Sequence, residues 1–386
     1  MNSASVSTAA TLTLPPLSIY VHIPWCERKC PYCDFNSHES ASSVPETEYV
    51  DALIRDLDAS LHWVQDRAIE TIFVGGGTPS LFSADAIRRL LKGIGERVDL
   101  SPDCEITLEA NPGSAETERF AGYAGAGVNR LSLGIQSFQQ QQLEALGRVH
   151  NSEQAAEAVE LALSAGFNSV NIDLMHGLPD QGEELALADL ETAIGFGTQH
   201  LSWYQLTIEP NTAFYKQAPE LPVEDTLADI QVAGEARIAS AGFDNYEVSA
   251  YAMAGISCRH NLNYWTFGDY IGIGAGAHGK LTRPERGEVV RTTKRRQPQG
   301  YLACQDAQNN PLDEASRLGD FMLNALRLTE GFHPELFTGR TGLSANSLLP
   351  IARELEAQGL LSVQAERIAT TDLGRRFLDT VVAEFL

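Results

Sequence analysis

The sequence predicts an α/β protein. Six β/α units form an open, partial (β/α)6 barrel, and a small winged-helix-like α+β domain follows. Three observations point there. Short apolar runs alternate with longer amphipathic ones over residues 17–223, and strand alternating with helix implies a parallel sheet covered by helices. The units fall short of the eight that close a complete barrel. Polar residues gather at the C-terminal ends of the predicted strands, where parallel barrels carry their chemistry. A flavodoxin-like open sheet is the alternative that the same pattern allows.

The elements follow in order. Ser18–Ile23 is β-branched and apolar and runs into a cysteine-bearing loop. Pro45–Arg67 is predicted helical, with Tyr49, Leu53, Leu57 and Leu61 on one face. Thr71–Gly75 is the second strand and leads into Gly76, Gly77, Thr78, Pro79 and Ser80. Ser83–Arg97 is a helix with a Ser N-cap. Glu105–Glu109 is the third strand, followed by Ala110, Asn111 and Pro112. Arg130–Ile135 is the fourth and delivers Gln136 and Ser137. Ser152–Ala165 reads as another Ser-capped helix, stopped by Gly166. Ser169–Leu174 carries Asp173 and leads to His176. Asp180–Phe196 is helical, and Leu201–Thr207 closes the series with Tyr204 and Gln205.

Residues 224–315 form a looser extension. Glu224–Ala241 is predicted helical and Asp244–Ala250 extended. The Gly-rich stretch Tyr270–Lys280 reads as a strand packed closely on the barrel. Residues 316–386 show helical patterns at Arg317–Leu328 and Ala345–Gln358. The runs Gly359–Val363 and Arg367–Thr371 then suggest a hairpin, and a last helix follows. Helices followed by a hairpin give the winged-helix expectation. Residues 1–16, rich in Ser, Thr and Ala, read as a disordered tail.

Composition narrows the function. The formal charge of −23 repels phosphate backbones, which argues against nucleic acid as a partner. The Ala345–Gln358 helix carries only Arg353 as a base, unlike a DNA-reading helix. One small basic run, Arg291–Arg296, reads as a solvated loop. No apolar stretch approaches a membrane span, and the N-terminus lacks the pattern of a secretory signal. Six cysteines are few for a disulfide scaffold, and Cys104, Cys258 and Cys304 read as buried thiols. A reducing, cytoplasmic setting fits.

The stretch from Tyr20 to Asn36 carries Cys26, Cys30 and Cys33, spaced C-x3-C-x2-C. Three thiols on one short loop converge at little entropic cost. A closed zinc site and an ordinary [4Fe–4S] cluster each take four ligands. Three cysteines therefore suit a cluster with one open iron, a zinc knuckle completed by His22 or His38, or unrelated thiols.

The spacing, with Tyr32 before the last cysteine, resembles the radical S-adenosylmethionine (SAM) superfamily. The resemblance implies a [4Fe–4S] cluster on Cys26, Cys30 and Cys33. In that family the amino and carboxylate groups of SAM chelate the open iron, and an electron from the cluster breaks a sulfonium C–S bond. It also implies the partial barrel. Glu109–Gly113, Gly134–Phe138, Leu146–His150 and Asn171–Met175 are similar to stretches of one subgroup, the oxygen-independent coproporphyrinogen III oxidases and their relatives. That similarity runs from Leu17 over nearly the whole chain. It implies SAM binding by Tyr20, Gly76, Gly77, Thr78, Glu109, Gln136, Arg148 and Asp173. The residue types agree. Gly76 and Gly77 let backbone approach a ligand. Carboxylates and Gln bond hydroxyls and ammonium, and Arg148 forks onto a carboxylate.

Two features separate the oxidases from a paralogous group of heme chaperones. The oxidase motif continues with a cysteine two positions after the third, where this chain has Phe35. The oxidases also have a longer N-terminal segment, whereas 19 residues precede Tyr20 here. His260-Asn-Leu-Asn-Tyr-Trp265 matches the HNxxYW motif of the chaperone group, which implies heme. His260 is then an expected axial ligand, with Cys258 and His278 as competitors. Tyr264 and Trp265 would supply flat faces for a macrocycle. The expectation is a heme chaperone serving heme-accepting proteins, respiratory and membrane-associated ones among the candidates. Its cluster state would gate heme transfer or homodimer formation. Coproporphyrinogen oxidation is the enzymatic alternative, a zinc-stabilised barrel the structural one, and SAM cleavage stays open.

Overall fold

The computed structural model describes residues 11–40, 44–113, 117 and 119–386. Twelve strands build its principal sheet: β1 Leu17–Ile23, β2 Ile69–Gly76, β3 Leu100–Ala110, β4 Arg130–Gln136, β5 Ser169–His176, β6 His200–Gln205, β7 Asp244–Glu247, β8 Ala250–Ala252, β9 Asp269–Ile273, β10 His278–Arg283, β11 Glu288–Thr293 and β12 Gln308–Pro311. Their order is β12-β11-β10-β9-β1-β2-β3-β4-β5-β6-β8-β7. Strands β1 to β6 pair in parallel, as the partial barrel requires. Parallel strands are covered on both faces, and β1 accordingly buries every residue except the half-buried Tyr20.

The extension is part of this sheet. β9 adds a further parallel strand beside β1, in register Leu17 with Asp269, and β10 to β12 continue antiparallel beyond it. The single strand expected at Asp244–Ala250 is two. The chain turns after Glu247, and β8 pairs antiparallel with both β7 and β6.

Helices cover the outside. Glu46–Ser60 buries Tyr49, Leu53 and Leu57, the predicted face. It stops short of Arg67, because Gln65 and Asp66 adopt positive φ, 52° and 58°, which no helix accommodates. Ala84–Gly95 takes the expected cap: Ser83 accepts a hydrogen bond from the Ala86 amide. The cap of Ser152–Ser164 is corrected to Asn151, which forms a capping box with Gln154. Ser152 is the first helical residue.

The C-terminal domain has its own core around Phe321, Phe332 and Phe337. Helix Glu314–Ala325 and hairpin Leu361–Val363/Ile368–Thr370 agree with expectation. A helix at Pro334–Thr341 was not anticipated. Ala345–Gln358 is a 3-10 turn followed by helix Leu349–Ala357. Pro350 has no amide to carry one helix through from Ala345.

The expected disordered tail is corrected at its inner end. Leu12 is buried in the C-terminal core. The Thr13 amide donates to Gly339 O at 2.8 Å, and Pro15 O accepts from Arg67 at 2.8 Å. Residues 1–10 of that tail lie outside the described residues.

Candidate functional site: a cysteine loop over the barrel mouth

β1 delivers the chain into the cysteine loop. Trp25–Cys26 pairs in parallel with His38–Glu39, and this short ladder closes the loop on itself. Cys26 is buried, Cys30 and Cys33 are half-buried, and all three are free thiols. They line a cleft of about 500 Å³ at the C-terminal ends of the parallel strands. Gly76, Gly77 and Thr78 from β2 and its loop line it too, as do Glu109 from β3 and Gln136 from β4. Arg148 and Asp173 complete the expected set. The residues that sequence spreads over 148 positions therefore share one cavity.

The β2 loop fits tightly against the cysteine loop. Gly76 has φ of +120°, and a Cβ there would stand 2.7 Å from Ile23 O. A Cβ on Gly77 would stand 2.5 Å from Trp25 O and 3.0 Å from Cys26 Sγ. Both positions thus require glycine. The amides of this loop are occupied. Gly76 N donates to Glu109 Oε2 at 3.0 Å, Gly77 N to Ile23 O at 2.7 Å, and Thr78 N to Trp25 O at 2.7 Å. The loop's recognition therefore falls to carbonyl oxygens, which suit an ammonium group and not an anion.

Arg148 bridges the barrel and the loop. Its Nη2 donates to Asn111 Oδ1 and Gly134 O, both at 2.7 Å, and its Nη1 lies 3.5 Å from Cys30 Sγ. Its Nε is buried without a partner. Gln136 adopts φ of 72°, an uncommon backbone for a non-glycine, and its side chain accepts from Tyr204 Oη at 2.7 Å.

Two buried carboxyls face this cleft, each with a raised pKa. Burial pushes the Glu109 pKa up to about 7, and the Asp173 charge adds to this. The Gly76 amide and the Arg130 charge offset only part. Burial raises Asp173 too, against hydrogen bonds from Ser202, Asn171 and Ser132. A cationic ligand placed between them favours both carboxylates.

The donor set fits a cluster better than a single ion. Among the described residues no three His, Cys, Asp or Glu side chains converge on one metal-sized point. A [4Fe–4S] cluster takes its thiolates on separate irons and tolerates wider spacing. His22, a candidate fourth zinc ligand, is engaged at both nitrogens: Nδ1 lies 3.0 Å from Tyr20 Oη and Nε2 2.9 Å from Asn36 O. Burial raises the Cys26 and Cys33 pKa values, so thiolate there depends on a bound cation. Cys26, Cys30 and Cys33 would hold the cluster, which with SAM supplies one-electron chemistry. The residues named above would bind and orient SAM.

Two expected site residues lie elsewhere. Tyr20 does not line the cleft; it lines a second cavity of about 660 Å³ behind it. His260, the expected axial ligand for heme, lines neither cavity. It is fully buried, with Nδ1 2.6 Å from Thr71 Oγ1 and Nε2 2.9 Å from Tyr264 Oη, and its ring packs at a tilt against Phe73, 5.1 Å between centroids. Burial lowers its pKa to about 3. It is a satisfied core histidine. Trp265 also turns away, with the Arg327 guanidinium 4.3 Å over its ring.

Asn111, Ser132, Ser202 and Tyr204, which lie outside the set that the resemblance implies, line the cleft as well. Asn111 and Tyr204 stood at strand ends and were visible there. Ser132 and Ser202 had no signal beyond strand alternation.

A parallel partial barrel with three cysteines over its mouth and two buried carboxyls inside defines a radical SAM protein. The family model of the radical SAM superfamily matches residues 20–189, and that of the HemN C-terminal domain matches residues 312–377. The chain is 49% identical to the heme chaperone HemW of Escherichia coli (strain K12), covering 97% of this chain and 99% of that protein. It is 48% identical to HemW of Haemophilus influenzae, over 97% of this chain and 98% of that one. HemW of Bacillus subtilis is 33% identical over 96% of this chain and 99% of its own. The solved coproporphyrinogen III oxidase HemN of Escherichia coli superposes with a TM-score of 0.80 at 22% identity, covering 98% of this chain and 91% of HemN. That likeness is one of fold. The chain belongs to the HemW family of the radical SAM superfamily.

Proposed function

We propose that this protein is a heme chaperone. It binds a [4Fe–4S] cluster through Cys26, Cys30 and Cys33, holds SAM in the barrel cleft, and delivers heme to acceptor proteins. The observation that carries the reading is the 49% identity, end to end, with a protein named for that task. Phe35 supports it. The residue is 62% exposed beside the cysteine loop, where the oxidase resemblance has a further cysteine. No described helix is long and apolar enough to cross a membrane. All six cysteines are free, which supports a reducing, cytoplasmic setting. We further propose that cluster state gates heme transfer or homodimer formation.

The test is heme titration beside a decarboxylation assay on one anaerobically reconstituted sample. Saturable heme binding, heme transfer to an apo-acceptor and no turnover of coproporphyrinogen III are expected. Turnover to a divinyl product, or no heme binding, overturns the reading.

A further inference from the structure

The sequence left three residues as ligands for heme iron, and the structure separates them. His260 is enclosed, with both nitrogens engaged. Cys258 is fully buried, its thiol pushed up to about 12 by burial, and it lies 3.6 Å from Glu105 Oε1. His278 is exposed at the head of β10 and lines the second cavity.

That cavity suits a large, flat, amphipathic anion. Its volume of about 660 Å³ lies in the range of sites for small molecules and cofactors. Tyr20, Tyr264, Tyr270 and Phe35 give it aromatic walls. Tyr264 stands edge-on to Tyr270 at 4.5 Å, and its hydroxyl is fixed by His260. The HNxxYW motif thus contributes Tyr264 as a wall, with His260 as its positioning residue. The basic run Arg291–Arg296 reaches the same place. Lys294 is tied to Asp56, but Arg296 is exposed on the rim, where among the described residues its guanidinium has a single 3.4 Å contact, from Nε to Asn36 Oδ1. In a chain of net charge −23 an exposed guanidinium beside an aromatic cavity is a selective feature for a carboxylate. Phe35, Gly76 and Glu109 line both cavities, so the second adjoins the SAM cleft.

We infer that heme is seated in this second cavity, with His278 as the protein ligand to iron and Arg296 paired with a propionate. The inference rests on the heme-carrying reading.

The test titrates ferric heme into the full-length wild type, His278→Ala, Arg296→Ala and His260→Ala, read by the Soret band and electron paramagnetic resonance. His278 is exposed, so its replacement leaves the fold standing; circular dichroism checks this for each variant. His278→Ala should weaken heme about tenfold or more and change the spin state, and added imidazole should restore the wild-type spectrum. Arg296→Ala should weaken binding without altering the spectrum. A wild-type spectrum in His278→Ala overturns the inference and leaves the carrier reading standing. So does a loss of ligation confined to folded His260→Ala. Failure of the wild type to bind heme overturns the carrier reading itself.

Discussion

Replacing Glu109 with Gln should stabilise the metal-free protein at alkaline pH while weakening SAM. The carboxyl is buried, and its pKa rises from an ordinary 4.5 to about 7. The folded state therefore binds a proton that the unfolded chain releases between those values. Stability falls as pH rises through that window, and the loss is complete above about 7. At about 1.36 kcal/mol per pH unit the gap corresponds to about 3 kcal/mol. Gln carries no such proton, and its amide oxygen still accepts from the Gly76 amide. Urea unfolding at pH 5 and pH 8 reads the effect: Asp189, raised to about 6 by burial, titrates in both proteins and cancels, while the repulsion between Glu109 and Asp173 exists in the wild type alone and belongs to the gap. The variant's advantage over wild type should grow by about 2–3 kcal/mol between the two pH values. An advantage that does not change with pH, or a destabilised variant at pH 8, refutes the argument. It would mean that the Gly76 amide and Arg130 outweigh burial. SAM affinity of the reconstituted variant should fall, because the removed carboxylate is the group a cation would recharge. Stability and binding moving in opposite directions is the signature of a functional carboxyl.

Two further outcomes follow from the same geometry. Gly77→Ala places a methyl 2.5 Å from Trp25 O and 3.0 Å from Cys26 Sγ; the cysteine loop has to shift to admit it, so the variant should fold yet retain under about a quarter of the reconstituted iron, read by iron analysis and absorbance. Asp56→Ala strips Lys294 of its buried partner and Tyr301 Oη of an acceptor at 2.7 Å; removing one side of such a pair costs about 3–5 kcal/mol, checked by urea unfolding at neutral pH.

The first cleft was legible because each of its residues ends a strand or follows one closely. Strand periodicity located the ends, and the polar types at Glu109, Gln136 and Asp173 marked them. The caps and stops were less legible. Asn151 and Ser152 are both good N-caps, and only the reciprocal bond with Gln154 selects the first. β9 was visible as a close-packed strand, but not as a parallel neighbour of β1. Its partner lies some 250 residues earlier, and five residues hold too little pattern to announce a pairing.

His260 shows why ligand-type residues mislead when read in one dimension. The motif supplies His, Tyr and Trp, but whether an imidazole is free or satisfied depends on Thr71, 189 positions away, and on Phe73 beside it. Pattern fixes which chemistry is present, whereas tertiary contact decides which of it is vacant. The second cavity carries the point further. Its walls come from β1, the cysteine loop, the 259–265 helix, β9 and the turn after β11, so no local window holds its residues together. β9 sets Tyr270 beside Ser18 and Gly272 beside Tyr20, two residues on; without that one parallel strand, Tyr20, Tyr264 and His278 would not share a cavity. The strand that periodicity could not pair is therefore the element on which the proposed heme seat depends.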